Sequence, residues 1–295
     1  MPPVFDIAER MAAVRLIELA LEEDLGERGD ITTSALVSPG ERGAMQIVAR
    51  EAGVIAGLPV AKLVFEQLDR GVQFVAHVED GGPVQRGTVV AELTGSVRSL
   101  LSGERTALNF ITHLSGIATF TRRYVDAITG TSASIFDTRK TLPGWRVVEK
   151  YAVRCGGGRN HRVGLFDMVL IKDNHLAGWS ASGSDHSVAA AVRAVRSQVP
   201  SGIPIEVEVD TLEQLADALS ASPDIVLLDN MDIATLAQAV EIRNRLASQT
   251  ELEASGGVRL DTVADIARAG VDRISIGALT HSAPALDLAF DWKSG

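Results

Sequence analysis

The chain has 295 residues, 46% of them hydrophobic and 22% charged, a globular composition long enough for about two domains. Its net charge of −10 argues against nucleic acid or an anionic membrane as a partner, so any basic site must be local. The single cysteine, Cys155, excludes an internal disulfide and a structural thiolate zinc site, which fits a cytoplasmic protein.

The first residues carry Asp6, Glu9, Glu18, Glu22 and Glu23 and do not read as a signal peptide. No apolar run approaches the roughly 18 residues of a membrane helix. Ile7, Met11, Val14, Ile17 and Leu21 recur at helical spacing, predicting an opening amphipathic helix that ends in the turn-rich 26–30. Strand-length runs at 45–49, 73–78 and 88–93, separated by glycines, predict a small α+β unit with hairpins up to residue 112. A long helical pattern then runs from Ser102 to Ile128, with an interruption expected near Gly116.

Beyond it, strand alternates with helix. Predicted strands are 134–136, 168–171, 205–209, 225–228, 251–254 and 273–276. Helices open behind Asp210-Thr211, Asp232 and Asp261. Repeated βα units with apolar strands mean a parallel sheet. Six strands are visible where a full barrel has eight, with one or two more expected around the Gly156 loop or Ile117. The fold class is α/β.

In such barrels chemistry sits at the C-terminal ends of the strands. Here those ends carry Asp137-Thr138-Arg139-Lys140, Lys172-Asp173-Asn174-His175, Glu206, Glu208 and Asp210, Asp229-Asn230, Ser255-Gly256-Gly257, and Gly277-Ala278. Asp173 or Asp210 alone reads equally well as a helix cap. From Asp137 to His175, eight basic residues stand against four acidic ones in a chain that is acidic overall. Such a cluster reads as an anion site, because guanidinium forks match carboxylate and phosphate oxygens, or as a solvated basic face. The glycine loops after the last two strands suit a phosphate on bare backbone N–H groups, or are ordinary turns. Glu208 and Asp229 read as Mg²⁺ ligands, as partners of sugar hydroxyls, or as structural ion pairs. Arg105 is expected near the start of the helix opened by Ser102, where the dipole disfavours a cation and a bound anion would account for it. His161 beside Arg162 is a donor to the same ligand or a structural group. His113, His281 and Cys155 have no surroundings that supply a base, a metal set or a second thiol.

The strings Glu104-Arg105-Thr106-Ala107-Leu108-Asn109, His113-Leu114-Ser115-Gly116-Ile117-Ala118-Thr119, Asp137-Thr138-Arg139-Lys140-Thr141, Asn160-His161-Arg162, Ile171-Lys172-Asp173-Asn174-His175, Glu206-Val207-Glu208-Val209-Asp210 and Ser255-Gly256-Gly257 resemble the quinolinate phosphoribosyltransferase family, over nearly the whole chain. The resemblance implies an N-terminal α+β sandwich domain over 1–112, onto which 280–295 packs back, and an incomplete βα barrel over 113–279. It further implies a homodimer whose site is completed across the interface, and a reaction joining quinolinate to phosphoribosyl pyrophosphate with Mg²⁺. The implied products are nicotinate mononucleotide, pyrophosphate and CO2, in de novo NAD biosynthesis.

By the same resemblance, Arg105 of the partner subunit, Arg139, His161, Arg162 and Lys172 hold the quinolinate carboxylates, while Thr138, Arg139 and Lys140 face the phosphoribosyl and pyrophosphate groups. Glu208 and Asp229 bind ribose hydroxyls and magnesium, and Ser255, Gly256, Gly257, Gly277 and Ala278 cradle the 5′-phosphate. Lys140, Lys172, Glu208 and Asp229 form the implied catalytic set. Trp145 stands where a smaller aliphatic residue is expected. Three alternatives stay open: a paralogue associated with molybdenum transport, a barrel lyase forming a Schiff base on Lys172, and a silent anion-binding protein.

Overall fold

The computed structural model describes residues 3–180 and 187–293 and divides into two compact units. Unit 1 comprises 1–122, 140–158 and 278–295; unit 2 comprises 123–139 and 159–277. The segment 140–158, inside the stretch expected to be barrel, therefore groups with the N-terminal residues.

Unit 1 opens with α1 (Ile7–Leu25), started by a capping box in which Asp6 accepts from the Glu9 N–H and Glu9 accepts from the Asp6 N–H. Ile17 of the predicted apolar stripe is buried, whereas Ile7 and Met11 are exposed. Next come α2 (Ile31–Leu36), β1 (Arg42–Ala49), β2 (Gly53–Val54), α3 (Leu58–Leu68), β3 (Gln73–Ala76), β4 (Pro83–Val84) and β5 (Val89–Ser96). Phe65 of α3 is buried and fills the space over Gly103, where a Cβ would come within 2.7 Å of its ring.

The long helix α4 (Val97–Ala127) begins five residues before Ser102. It also runs unbroken through Gly116. That glycine is a packing requirement, since a Cβ there would lie 2.2 Å from the Pro284 carbonyl oxygen. Arg105 thus stands in the third turn of α4, not near its start, and out of reach of the N-terminal dipole.

Unit 2 starts its sheet with β6 (Ser134–Phe136). The chain then returns to unit 1 for α5 (Arg146–Cys155), whose Tyr151 donates to Asp80 at 2.7 Å and whose Arg154 pairs with Glu9 at 2.6 Å. The remaining elements of unit 2 are β7 (Val169–Ile171), α6 (Asp173–Ser180), α7 (Val188–Arg196), β8 (Ile205–Val209), α8 (Leu212–Leu219), β9 (Ile225–Asp229), α9 (Ile233–Leu246), β10 (Glu251–Ser255), α10 (Val263–Arg268) and β11 (Arg273–Ser275). Unit 1 closes with α11 (Ala278–His281) and β12 (Leu288–Trp292).

In unit 1 the main sheet has the order β12-β1-β5-β3 and is antiparallel. In unit 2 six parallel strands have the order β6-β11-β10-β9-β8-β7, an open α/β barrel. The residues around Gly156 and Ile117 supply no further strand: Ile117 lies within α4, and the Gly156 loop contributes only a bridge from Arg159 to Phe136. Ile205, Val207 and Val209 are fully buried on one face of β8, so Glu206 and Glu208 share the other.

Candidate active site

Within unit 2, the strand ends carry the predicted polar groups. Lys172 follows β7, and its ammonium donates to Glu208 in the neighbouring strand β8. The Lys172 N–H donates to His175 Nδ1 at 2.9 Å, so His175 holds the main chain where α6 begins. Asp173 lies in the first turn of α6, favourable for the dipole. Thr211, not Asp210, caps α8. Arg139 and Arg162 lie near enough that burial, and then the charge of Arg139, lower the pKa of Arg162. A pair of guanidinium groups so placed favours an anion between them.

Asp229 ends β9, and its Oδ2 accepts from Asn230 Nδ2 at 2.7 Å. Asn230 has φ +52°, and its N–H donates to the Ser255 carbonyl at 2.9 Å, tying the loops after β9 and β10 together. Gly256 has φ +93°, and a Cβ there would come within 2.1 Å of Asn230 Oδ1. Glycine is required on both counts. Gly257 has φ +59° but open space around it. Backbone this bare accepts a close anion.

Beneath the strand ends lies a buried cluster that reasoning from sequence did not assign. His161, 8% exposed, directs Nε2 at Glu206 Oε2 (3.0 Å) and Glu253 Oε1 (3.3 Å), both fully buried carboxylates. One N–H shared between two acceptors aligns with neither, so both Glu206 oxygens and Glu253 Oε1 lack a well-formed hydrogen bond. Arg273 Nε donates to Glu253 at 2.7 Å, and its guanidinium stacks 3.8 Å from the centre of the Phe136 ring. The N–H of Arg162 donates to His161 Nδ1 at 2.8 Å. Asp137, fully buried, accepts from the His161 N–H (2.8 Å) and from Asn160 Nδ2 (2.6 Å).

Burial opposes a charge on His161, and the Glu206 and Glu253 carboxylates facing Nε2 outweigh it, lifting the ring to about 9. Burial, and then the charge of Glu253, also raise Glu206. Both shifts describe one extra proton retained by the cluster. The Arg162 N–H donates to Nδ1, which places a ring hydrogen on Nε2, facing the two carboxylates. Glu253 stays ionised: burial opposes its charge, but His161 and Arg273 hold its pKa low. The signal in sequence was the alternation of Glu206 with Glu208 in one strand and of Glu251 with Glu253 in another, which puts each pair on a single face.

Of the other predicted site residues, Thr138, Arg139 and Gly277 belong to unit 2, whereas Arg105, Lys140 and Ala278 belong to unit 1. Arg105 is exposed and lines a cavity of about 280 Å³ with Asp24, Asp30 and Ser102. The Lys140 carbonyl accepts from Thr280 Oγ1 at 2.7 Å. Trp145 stacks on Phe110 at 4.8 Å, with the His113 ring edge-on at 5.3 Å, which explains a large ring at that position. His113 is not idle: it meets Glu149, whose other oxygen accepts from the Leu142 N–H.

An open parallel barrel with cationic groups and glycine loops at its strand ends defines a protein that handles a small, highly charged anion. Its sequence matches the quinolinate phosphoribosyl transferase N-terminal domain over 30–115 and the C-terminal domain of the same family over 117–291. The chain belongs to the quinolinate phosphoribosyltransferase family. It is similar to the nicotinate-nucleotide pyrophosphorylase [carboxylating] of Mycobacterium leprae, 48% identical over 95% of this chain and 97% of the relative. It is also similar to the probable enzyme of that name from Synechocystis, 45% identical over 91% and 88% of the two chains. Among solved structures, the nicotinate-nucleotide pyrophosphorylase of Francisella tularensis superposes with a TM-score of 0.88 at 38% identity, covering 96% of both chains.

Proposed function

We infer that this chain transfers the phosphoribosyl group of phosphoribosyl pyrophosphate to quinolinate with loss of CO2, forming nicotinate mononucleotide and pyrophosphate for NAD biosynthesis. The carrying observation is the set Arg139, Arg162, Lys172 and Glu208 at the strand ends of a barrel, in a chain of which 95% matches a relative named as carboxylating. Arg139, Arg162 and Lys172 take the two carboxylates, with Arg105 of the partner subunit completing the site in a homodimer. Thr138 and Lys140 face the phosphoribosyl and pyrophosphate groups. Ser255, Gly256, Gly257, Gly277 and Ala278 receive the 5′-phosphate.

The pyridine nitrogen is the nucleophile. Its lone pair forms the bond to ribose C1 as the C1–O bond to pyrophosphate breaks, so the protein needs cations and alignment more than a base. The positively charged ring nitrogen then stabilises the electron pair left on the adjacent carbon when CO2 departs, and that carbon takes up a proton. Glu208 and Asp229, hard oxygen donors on neighbouring strands, fit Mg²⁺, which uses one or two carboxylates and leaves its other positions to phosphate and water. When bound, Mg²⁺ supplies charge neutralisation for the leaving pyrophosphate. Among the described residues no helix is long and apolar enough to cross a membrane.

The test mixes protein, phosphoribosyl pyrophosphate and Mg²⁺ with quinolinate or nicotinate and follows nicotinate mononucleotide and released CO2. Product with CO2 from quinolinate alone is expected. Product from neither pyridine would overturn the assignment.

A further inference from the structure

We propose that Glu206 and Glu253 are positioning residues for substrate recognition: together they hold the Nε2–H of His161, whose Nδ1 in turn fixes the main chain of Arg162. The proposal rests on Arg162 contacting the quinolinate carboxylates. Both ring nitrogens of His161 are turned to protein partners, so His161 acts through Arg162 instead of touching substrate itself. A second tether completes the clamp, since Arg162 Nη1 donates to the Met168 carbonyl at 3.2 Å. Asp137 holds the same stretch from the side through the His161 N–H.

Stability alone does not call for this cluster. Between β8 and β10, strand β9 sets apolar residues beside both carboxylates, Ile225 in register with Glu206 and Leu227 in register with Glu253, each 5% exposed. Apolar side chains at 206 and 253 would fill the space without desolvating two carboxyl groups. What they could not do is fix the ring's orientation and tautomer, and thereby the position of the Arg162 main chain.

The same three side chains offer ligand atoms within 4.8 Å of one another, an arrangement open to a divalent metal. Nδ1 argues against it. A metal on Nε2 requires the ring proton on Nδ1, yet Nδ1 already accepts from the Arg162 N–H. Arg273, bonded to Glu253, adds a second cation that a metal would have to displace or tolerate.

Steady-state kinetics with both substrates tests the proposal on His161→Gln, His161→Asn, Glu206→Gln and Glu206→Met, each checked for folding by circular dichroism. Asn can return an acceptor near Nδ1, whereas Gln reaches toward Nε2 and leaves the Arg162 N–H unserved. His161→Gln and Glu206→Met are expected to raise the KM for quinolinate about tenfold or more, with the KM for phosphoribosyl pyrophosphate changed less than about twofold. His161→Asn and Glu206→Gln should recover most of that loss. Equal effects on both KM values, or no difference between His161→Asn and His161→Gln, would overturn the proposal, as would stoichiometric metal in the wild-type protein that disappears in Glu206→Gln. If His161→Gln fails to fold, the Glu206 pair carries the same test. Absence of product from wild-type protein would instead sink the assigned reaction.

Discussion

Lys172 and Glu208 form an ion pair between the end of β7 and the middle of β8, with the lysine half exposed and the carboxylate largely buried. The pair keeps an ammonium at the strand ends while its partner faces the inside of the barrel. Lys172→Ala removes the cation and leaves the carboxylate short of a partner. Turnover should fall at least about a hundredfold, and Arg139→Ala should do the same, with circular dichroism and elution volume unchanged. Full activity in either variant would remove the basis for the site.

Gly256→Ala forces a side chain into a backbone at φ +93° and against Asn230. The expected cost is about 1–3 kcal/mol of stability together with a raised KM for phosphoribosyl pyrophosphate. Gly257→Asn is the contrast, because its φ of +59° suits asparagine and nothing crowds the position. It should lose less than about 1 kcal/mol. Urea denaturation with and without phosphoribosyl pyrophosphate reads both quantities.

Trp145→Ala empties the stack on Phe110 and frees the loop that begins at Lys140. A loss of about 2 kcal/mol in unfolding free energy is expected, with lower activity. Trp145→Phe keeps an offset ring and should retain most of both. Thermal unfolding alongside the assay of nicotinate mononucleotide and CO2 distinguishes packing from substrate choice: a Trp145→Phe variant that accepted nicotinate would assign the ring to specificity.

Asp30 caps α2, accepting from the Thr33 N–H at 2.8 Å, and also accepts from Ser102 Oγ of α4 at 3.1 Å. The Thr33 hydroxyl, and then its N–H, hold the Asp30 carboxyl below its ordinary 3.8. A lowered carboxylate stabilises the fold fully above the unfolded value and progressively less as pH falls through the folded one. Acidification from about pH 5 to pH 2 should therefore lower the urea midpoint, and Asp30→Asn should flatten that dependence. Asparagine caps nearly as well, so stability at pH 7 should change by less than about 1 kcal/mol. An undiminished acid slope in Asp30→Asn would contradict the role.

The barrel strands were legible because each is a short apolar run ending in a polar or glycine-rich turn; Asp232 and Thr211 mark the starts of α9 and α8 where the sequence placed them. α3 and α5 went unread. Pro59 and its neighbours look like a turn until Gly57 at φ +97° begins a helix behind them, and α5 buries Glu149 and Lys150, which break its apolar pattern. The cationic strand ends were visible as charge against an acidic background. His161 was not separable from a routine structural histidine, because its partners lie 45 and 92 positions away in sequence and meet it only once β8 and β10 are in register. Glu206 carried the hint, an acid alternating with Glu208 between buried Ile205, Val207 and Val209.

The chain crosses from one unit to the other four times, at residues 122, 139, 158 and 277. A gene encoding such a path cannot lend either unit to another protein as a single cassette, because any contiguous fragment that includes all of one unit carries pieces of the other. The strand nearest the end, β12, pairs with β1 from Met45↔Trp292 to Ala49↔Leu288. A frameshift just before Leu288 is therefore expected to unravel the sheet whose first strand is translated some 240 residues earlier, long after that strand has left the ribosome.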